Sequence, residues 1–332
     1  MPGRRADTMN ASWALISAQP ALLDALEPLI AARQRTGRVQ IANSIAEVRS
    51  EAATILMVGG APPPTAFATS RDGRRVPLGW VGADRERLRV FARAAAEVAS
   101  RQAQEQATGP AVLLGQRDFA ALLLADEVER AAEVPLFRWT AERMGRGELL
   151  DALRCGPGLA LYLGHALSGG WVAYGGVTAA VLSARRKHPL GAILTIAPDT
   201  ARCDRTRLSF CDELAMRGAC SAAVGATGKA RYETDRVLAR SIARGLTKSR
   251  MLGELLLAIP EEALRGYRIA GDPAAPLSGA AHAWQAASAV QRAIRDAAGE
   301  LAVAAEEEHQ AAIGVQPHRV PSDSSAVPGK IV

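Results

Sequence analysis

The sequence predicts an α/β fold: a parallel sheet with helices on both faces, arranged as two side-by-side halves plus a C-terminal helix. Three observations carry this. Leu159–Leu163 and residues 191–197 are short apolar runs bounded by turn residues, the pattern of strands buried on both faces. Such runs alternate with stretches of helical periodicity from residue 12 to residue 273, the order that builds strand–helix–strand units. The chain has 332 residues, 48% of them hydrophobic, which suffices for one large core or two modest ones.

Ser12–Ser17 opens the chain as a strand. Residues 20–35 follow as a helix, with Leu22, Leu23, Leu26, Leu29 and Ile30 on one stripe and Gly37 as a left-handed stop. Residues 39–42 and 54–58 are further strands, with a turn or short helix at 44–49 between them. Pro62, Pro63 and Pro64 force an extended loop. Residues 76–81 read as an edge segment, and 84–107 as one long charged helix.

Thr108-Gly109-Pro110 is the clearest internal boundary. Beyond it come a strand at 111–114, a helix at 118–133, a short strand at 135–139 and a helix at 142–153. The runs at 159–163 and 191–197 are joined by a glycine-rich loop containing Trp171 and by a basic helix at 178–187. A helix at 208–217, a strand at 219–224 and helices at 234–248 and 251–259 complete the alternation, and residues 268–273 close the globular part. Residues 279–314 are alanine-rich, with Trp284, Ala287, Ile294 and Leu301 at helical spacing. That helix either packs back on its own domain or pairs with another chain, its own copy included. Residues 315–332 carry prolines and serines and read as a disordered tail.

Composition narrows the function. No apolar run approaches the roughly 18 residues of a membrane span, and the start has no signal-peptide h-region, so a cytoplasmic protein is expected. Four widely spaced cysteines make no disulfide framework, and the five histidines have no metal-like spacing. The net charge of +6 is spread among many acids and aromatics are only 4%, which argues against a nucleic-acid partner. Gly225-Ala-Thr-Gly228-Lys229 falls short of a phosphate loop, because Ala223 and Ala230 stand where glycine and a hydroxyl are needed. Neither a cofactor nor a metal is expected.

The candidate site is the end of the run at 159–163. Gly164-His165 follows it immediately, which puts His165 at the carboxyl edge of the sheet, where open α/β folds bind ligands. The ordinary alternative is a histidine that simply bonds backbone there.

The segments, in this order, resemble the gingipain family of cysteine peptidases, relatives of caspases. The resemblance runs from about Trp13 to Leu277. Its carriers are Leu26-Glu-Pro-Leu29 with Arg33 to Gly37, Ile55 to Gly59 with Pro64-Thr65, Gly156 to His165 with Trp171, Glu213-Leu with Gly218-Ala219 and Val224 to Thr227, and Gly271-Asp-Pro-Ala274. It implies a caspase/gingipain-like fold in which a strand-end cysteine attacks a peptide carbonyl while a histidine on the neighbouring strand handles protons. His165 matches that histidine. The nucleophile strand matches residues 193–197, which puts Pro198 at the cysteine position, and Ala166 stands where the family usually has glycine.

Pro198 has neither a thiol nor an N–H to offer an oxyanion. The resemblance therefore implies a degenerate peptidase kept for binding a protein or peptide partner or for assembly. An active cysteine peptidase using His165 with Cys203, in the loop after the strand, is the alternative. Cys211 and Cys220 read as core residues and Cys155 as inert. The expected organisation is an N-terminal α/β subdomain at 1–108, a caspase-like subdomain carrying His165 at 109–278, the helix at 279–314, through which the chain could self-associate, and the tail at 315–332.

Overall fold

The computed structural model describes residues 12–103, 108–167, 169–203, 207–229 and 232–312. The tail at 315–332 lies outside them, as do the last residues expected of the helix at 84–107.

Strands β1 (Ser12–Ser17), β2 (Arg38–Ala42), β3 (Ala52–Val58), β4 (Phe67–Thr69) and β5 (Arg75–Val81) come with helices α1 (Leu23–Thr36) and α2 (Arg85–Ala103). The next stretch holds β6 (Ala111–Gly115), α3 (Phe119–Ala131), β7 (Leu136–Arg138), α4 (Arg146–Leu153) and β8 (Leu159–Leu163). After these come three two-residue strands, β9 (Ala166–Leu167), β10 (Gly170–Trp171) and β11 (Val177–Thr178), then α5 (Ala179–Arg185) and β12 (Leu190–Ile196). The chain continues through α6 (Phe210–Met216), β13 (Cys220–Ala226), α7 (Tyr232–Gly245), α8 (Leu252–Leu257), α9 (Glu261–Leu264), β14 (Tyr267–Gly271) and α10 (Ala283–Ala312).

One eleven-stranded sheet runs in the order β2-β1-β3-β5-β14-β13-β12-β8-β6-β7, with β4 paired to β5. The strands before residue 108 fill one side and those after it the other, with β5 and β14 meeting in the middle. β6, β8, β12 and β13 are buried at every position, which explains their unbroken apolar sequences. One face is covered by α3, α7, α8 and α9, where Leu124, Val128, Leu238, Ile242 and Leu255 meet Leu113, Leu161, Leu194 and Val224 of the strands. The other face carries α1, α2 and α4 to α6, packed successively on one another. α2 buries Leu88, Phe91, Ala92, Ala95, Val98 and Ala99, a stripe of period 3.6 beneath a charged outer face.

The structure departs from the sequence reading in the middle of the sheet. Residues 76–81 form a central strand, not an edge segment: β5 pairs in parallel with both β3 and β14. Pro77, a residue usually confined to edges, costs no ladder bond to β3, since that pairing begins at Leu78. Residues 267–271 do not merely close the globular part; they are a buried strand that runs antiparallel to β13. Thr227 donates to the carbonyl of Gly266 at 2.7 Å, so the chain re-enters the sheet at the end where β13 leaves it and must run back. Gly37 ends α1 in extended conformation (φ 177°), leading straight into β2 rather than through a left-handed cap.

β5 and β14 are tied by only two registered pairs, Ile269 with Gly79 and Ala270 with Trp80. The approach is close: a Cβ on Gly79 would lie 2.0 Å from the carbonyl oxygen of Gly271. Asp272, the next residue, reinforces the seam. Its carboxylate, fully buried, accepts from Arg33 of α1 (Nε 3.0 Å, Nη2 2.5 Å), from the Trp13 indole of β1 (3.0 Å) and from the Ala274 N–H (3.0 Å). Its own N–H donates to Ser221 of β13 at 2.9 Å.

Residues 12–291 form one unit and 292–312 are described separately. Within the first, α10 begins with Ala283 and Ala287 buried and Trp284 edge-on to Phe137 at 5.9 Å. Residues 292–312 continue the helix, with Leu301 and Val303 exposed.

Replacing Asp272 by alanine leaves Arg33 buried without its carboxylate. A loss of about 3–5 kcal/mol is expected, read from urea unfolding followed by tryptophan fluorescence.

Candidate functional site

Parallel pairing puts the carboxyl ends of β6, β8, β12 and β13 on one edge of the sheet. β8 and β12 are in register, Leu163 opposite Ile196. Two residues further on, His165 follows β8 and Pro198 follows β12, so the two stand at adjacent strand ends. Gly164 between them has φ +146°, and a Cβ there would lie 2.8 Å from Cβ of Gln116. The close turn therefore selects glycine.

The backbone of His165 is fully engaged. Its N–H donates to Oε1 of Gln116 at 2.9 Å, and its carbonyl accepts from the Tyr162 hydroxyl (2.8 Å) and the Val172 N–H (3.1 Å). Its side chain is exposed. Gln116 sits just past β6, the strand next to β8. The sequence reading passed over it, although a polar residue one step beyond a buried strand on this edge was the available signal.

After His165 the chain folds into a small antiparallel sheet of β9, β10 and β11. Trp171 anchors it. The indole is buried, stacked on Tyr162 at 4.6 Å and 11°, edge-on to Phe210 at 5.6 Å, and donates to Oγ1 of Thr195 at 3.3 Å. Such ring pairs contribute about 0.5–1.5 kcal/mol each beyond their burial. Beside His165 this hairpin leaves Leu167 71% and Val172 41% exposed.

On the other side, Pro198 begins a loop pinned at every step. Asp199 has φ +58° and donates its N–H to Gly228 at 3.0 Å. The Thr200 hydroxyl donates to Ala197 (3.3 Å), the Ala201 N–H to Ala226 (2.8 Å), and the Cys211 N–H to Thr200 (3.0 Å). Pro198 has no N–H, and that of Asp199 is already committed.

Cys203 is exposed in this loop, but its sulfur is tied away from β8. Nη2 of Arg268 reaches it at 2.9 Å, and it lies 3.5 Å from Oδ2 of Asp212. Arg268 belongs to β14, three strand positions from β8, a spacing of about 14 Å across the sheet. Arg268 and Asp212 form a buried pair (Nη1 2.9 Å, Nη2 2.5 Å), completed by Ser209 Oγ at 3.1 Å and the Ala201 carbonyl at 2.7 Å. No sequence pattern linked these residues, which come from a strand, a helix and a loop.

Every thiol is held protonated. Desolvation, reinforced by the Asp212 carboxylate, pushes Cys203 up to about 11 despite nearby Arg268. Burial pushes Cys155 up to about 11 and Cys211 to about 12, and it raises Cys220 well above its ordinary value. Activated cysteines have depressed values instead. Among the described residues, no group of three or more His, Cys, Asp or Glu could hold a metal ion, and no helix is long and apolar enough to cross a membrane.

No family model and no curated protein sequence matches the chain. Solved structures do. The arginine-specific cysteine proteinase gingipain R superposes with a TM-score of 0.60 at 13% identity, over 82% of this chain and 79% of that one. The complex of RgpB pro- and mature domains from Porphyromonas gingivalis gives 0.57 at 14%, over 80% and 79%. A structure described as a protease gives 0.61 at 11%, over 80% and 78%. At these identities the likeness shows the fold, which is caspase/gingipain-like.

A thiol at about 11 is thiolate in about one molecule in 10,000 at pH 7. Alkylation of Cys203 by iodoacetamide, followed by mass spectrometry, should therefore climb about tenfold per pH unit from 7 to 10. A rate that levels off near pH 7 would contradict the environment described here.

Proposed function

We propose that this caspase/gingipain-fold protein binds a protein or peptide segment at the strand-end surface beside His165 and does not cleave it. The observation that carries this is Pro198, at the strand end next to His165 where the fold's peptidases present their cysteine. Proline there supplies neither nucleophile nor oxyanion donor. The commitment of the Asp199 N–H to Gly228 and the four protonated thiols support the same reading. Leu167 and Val172 offer exposed apolar surface for a partner, next to the short edge strand β9, which an extended peptide can lengthen. His165 then serves as a polar contact rather than a proton carrier. Assembly through residues 279–312 is compatible with such a role.

The competing reading is a working peptidase that uses His165 with Cys203. Its support is that Cys203 is exposed and lies in the loop that follows the nucleophile strand. The ties of its sulfur to Arg268 and Asp212 weigh against it.

Peptides selected against the full chain by display should bind, and Leu167→Asp should weaken them about tenfold or more, since burying a leucine contributes about 1.5–3 kcal/mol. A peptidyl acyloxymethyl ketone should leave the protein unlabelled. Rapid labelling of Cys203 at neutral pH would instead establish the peptidase reading.

A further inference from the structure

A cleft of about 210 Å³ opens between α3 and α7, on a face unrelated to His165, lined by Glu127, Arg130, Ala131, Arg236, Arg240 and Arg244. That exceeds many times the ~10–15 Å³ that holds one water. Arg236, Arg240 and Arg244 recur every four residues of α7, so they stack along one side of that helix. Like charges at this spacing repel. Arg130 adds a fourth guanidinium from α3. One carboxylate answers them. Glu127 takes Arg236 in a bidentate pair, 2.6 Å at both contacts. Arg236, hydrogen-bonded to Glu127, holds that carboxyl below its ordinary value, and the charges of Arg240 and Arg130 lower it further, so both reach the cleft. Among the described residues no carboxylate is ion-paired to Arg130, Arg240 or Arg244, which leaves three positive charges unbalanced around one small cavity.

We propose that this cleft binds a small polyphosphate anion. Guanidinium forks match phosphoryl oxygens in pairs, and the Glu127–Arg236 pair fixes one fork in advance. The lining has no aromatic ring for a base to stack on, so the phosphate chain itself is what the site reads. The excess charge suits a trivalent or tetravalent anion.

The test is titration calorimetry of the full-length protein with sodium pyrophosphate in about 50 mM salt, where exposed charges are weakly screened. The expected result is a dissociation constant below about 1 mM, weaker at higher salt. The double variant Arg240→Gln/Arg244→Gln should lose about tenfold or more of the affinity with an unchanged circular dichroism spectrum. Three results would overturn the proposal: no binding at 10-fold higher pyrophosphate, binding that the double variant leaves intact, or citrate binding as tightly as pyrophosphate.

Discussion

The buried carboxylate of Asp272 holds the sheet together at its narrowest point. β5 and β14 share two registered pairs, and every other strand reaches the opposite half only through them. Asp272 gathers Trp13 of β1, Arg33 of α1 and, through its N–H, Ser221 of β13. A charge so placed is tolerated because each oxygen has donors, and removing either partner takes from the other its buried opposite charge. The same strand carries Arg268 onto the opposite half, where it organises Asp212, Ser209 and Cys203. One antiparallel strand thus fixes both the seam and the loop that follows β12.

That arrangement fixes the surroundings of His165 and Pro198. The in-register pairing of β8 and β12 brings His165 and Pro198 to neighbouring positions at adjacent strand ends. The backbone N–H groups beside them are committed within the fold: that of His165 to Gln116, that of Asp199 to Gly228. Cys203 is held by the Arg268–Asp212 pair and kept protonated. The apolar side chains beside His165 remain exposed. These features are what the proposed binding role rests on.

Strands buried on both faces were the most legible feature, because an unbroken apolar run such as Leu159–Leu163 has few alternatives once glycines bound it. The placement of His165 and Pro198 followed from that. Direction and order within the sheet were harder to read. Alternation of strand and helix does not say that β14 runs antiparallel, nor that residues 76–81 lie in the middle of the sheet rather than at its edge. The partners of the site were least legible. Gln116 lies 49 residues before His165 and Arg268 65 residues after Cys203, so only the fold brings them together. The arginines of α7 were visible singly in the sequence, but their convergence with Arg130 needed the packing of α3 on α7.

The most direct test of the central claim is exposure of the purified full-length protein to a proteome-derived peptide library, with cleavage products identified by mass spectrometry. The account predicts no new termini above the background of a His165→Ala control. New termini that disappear in both His165→Ala and Cys203→Ala would contradict it and establish a working peptidase.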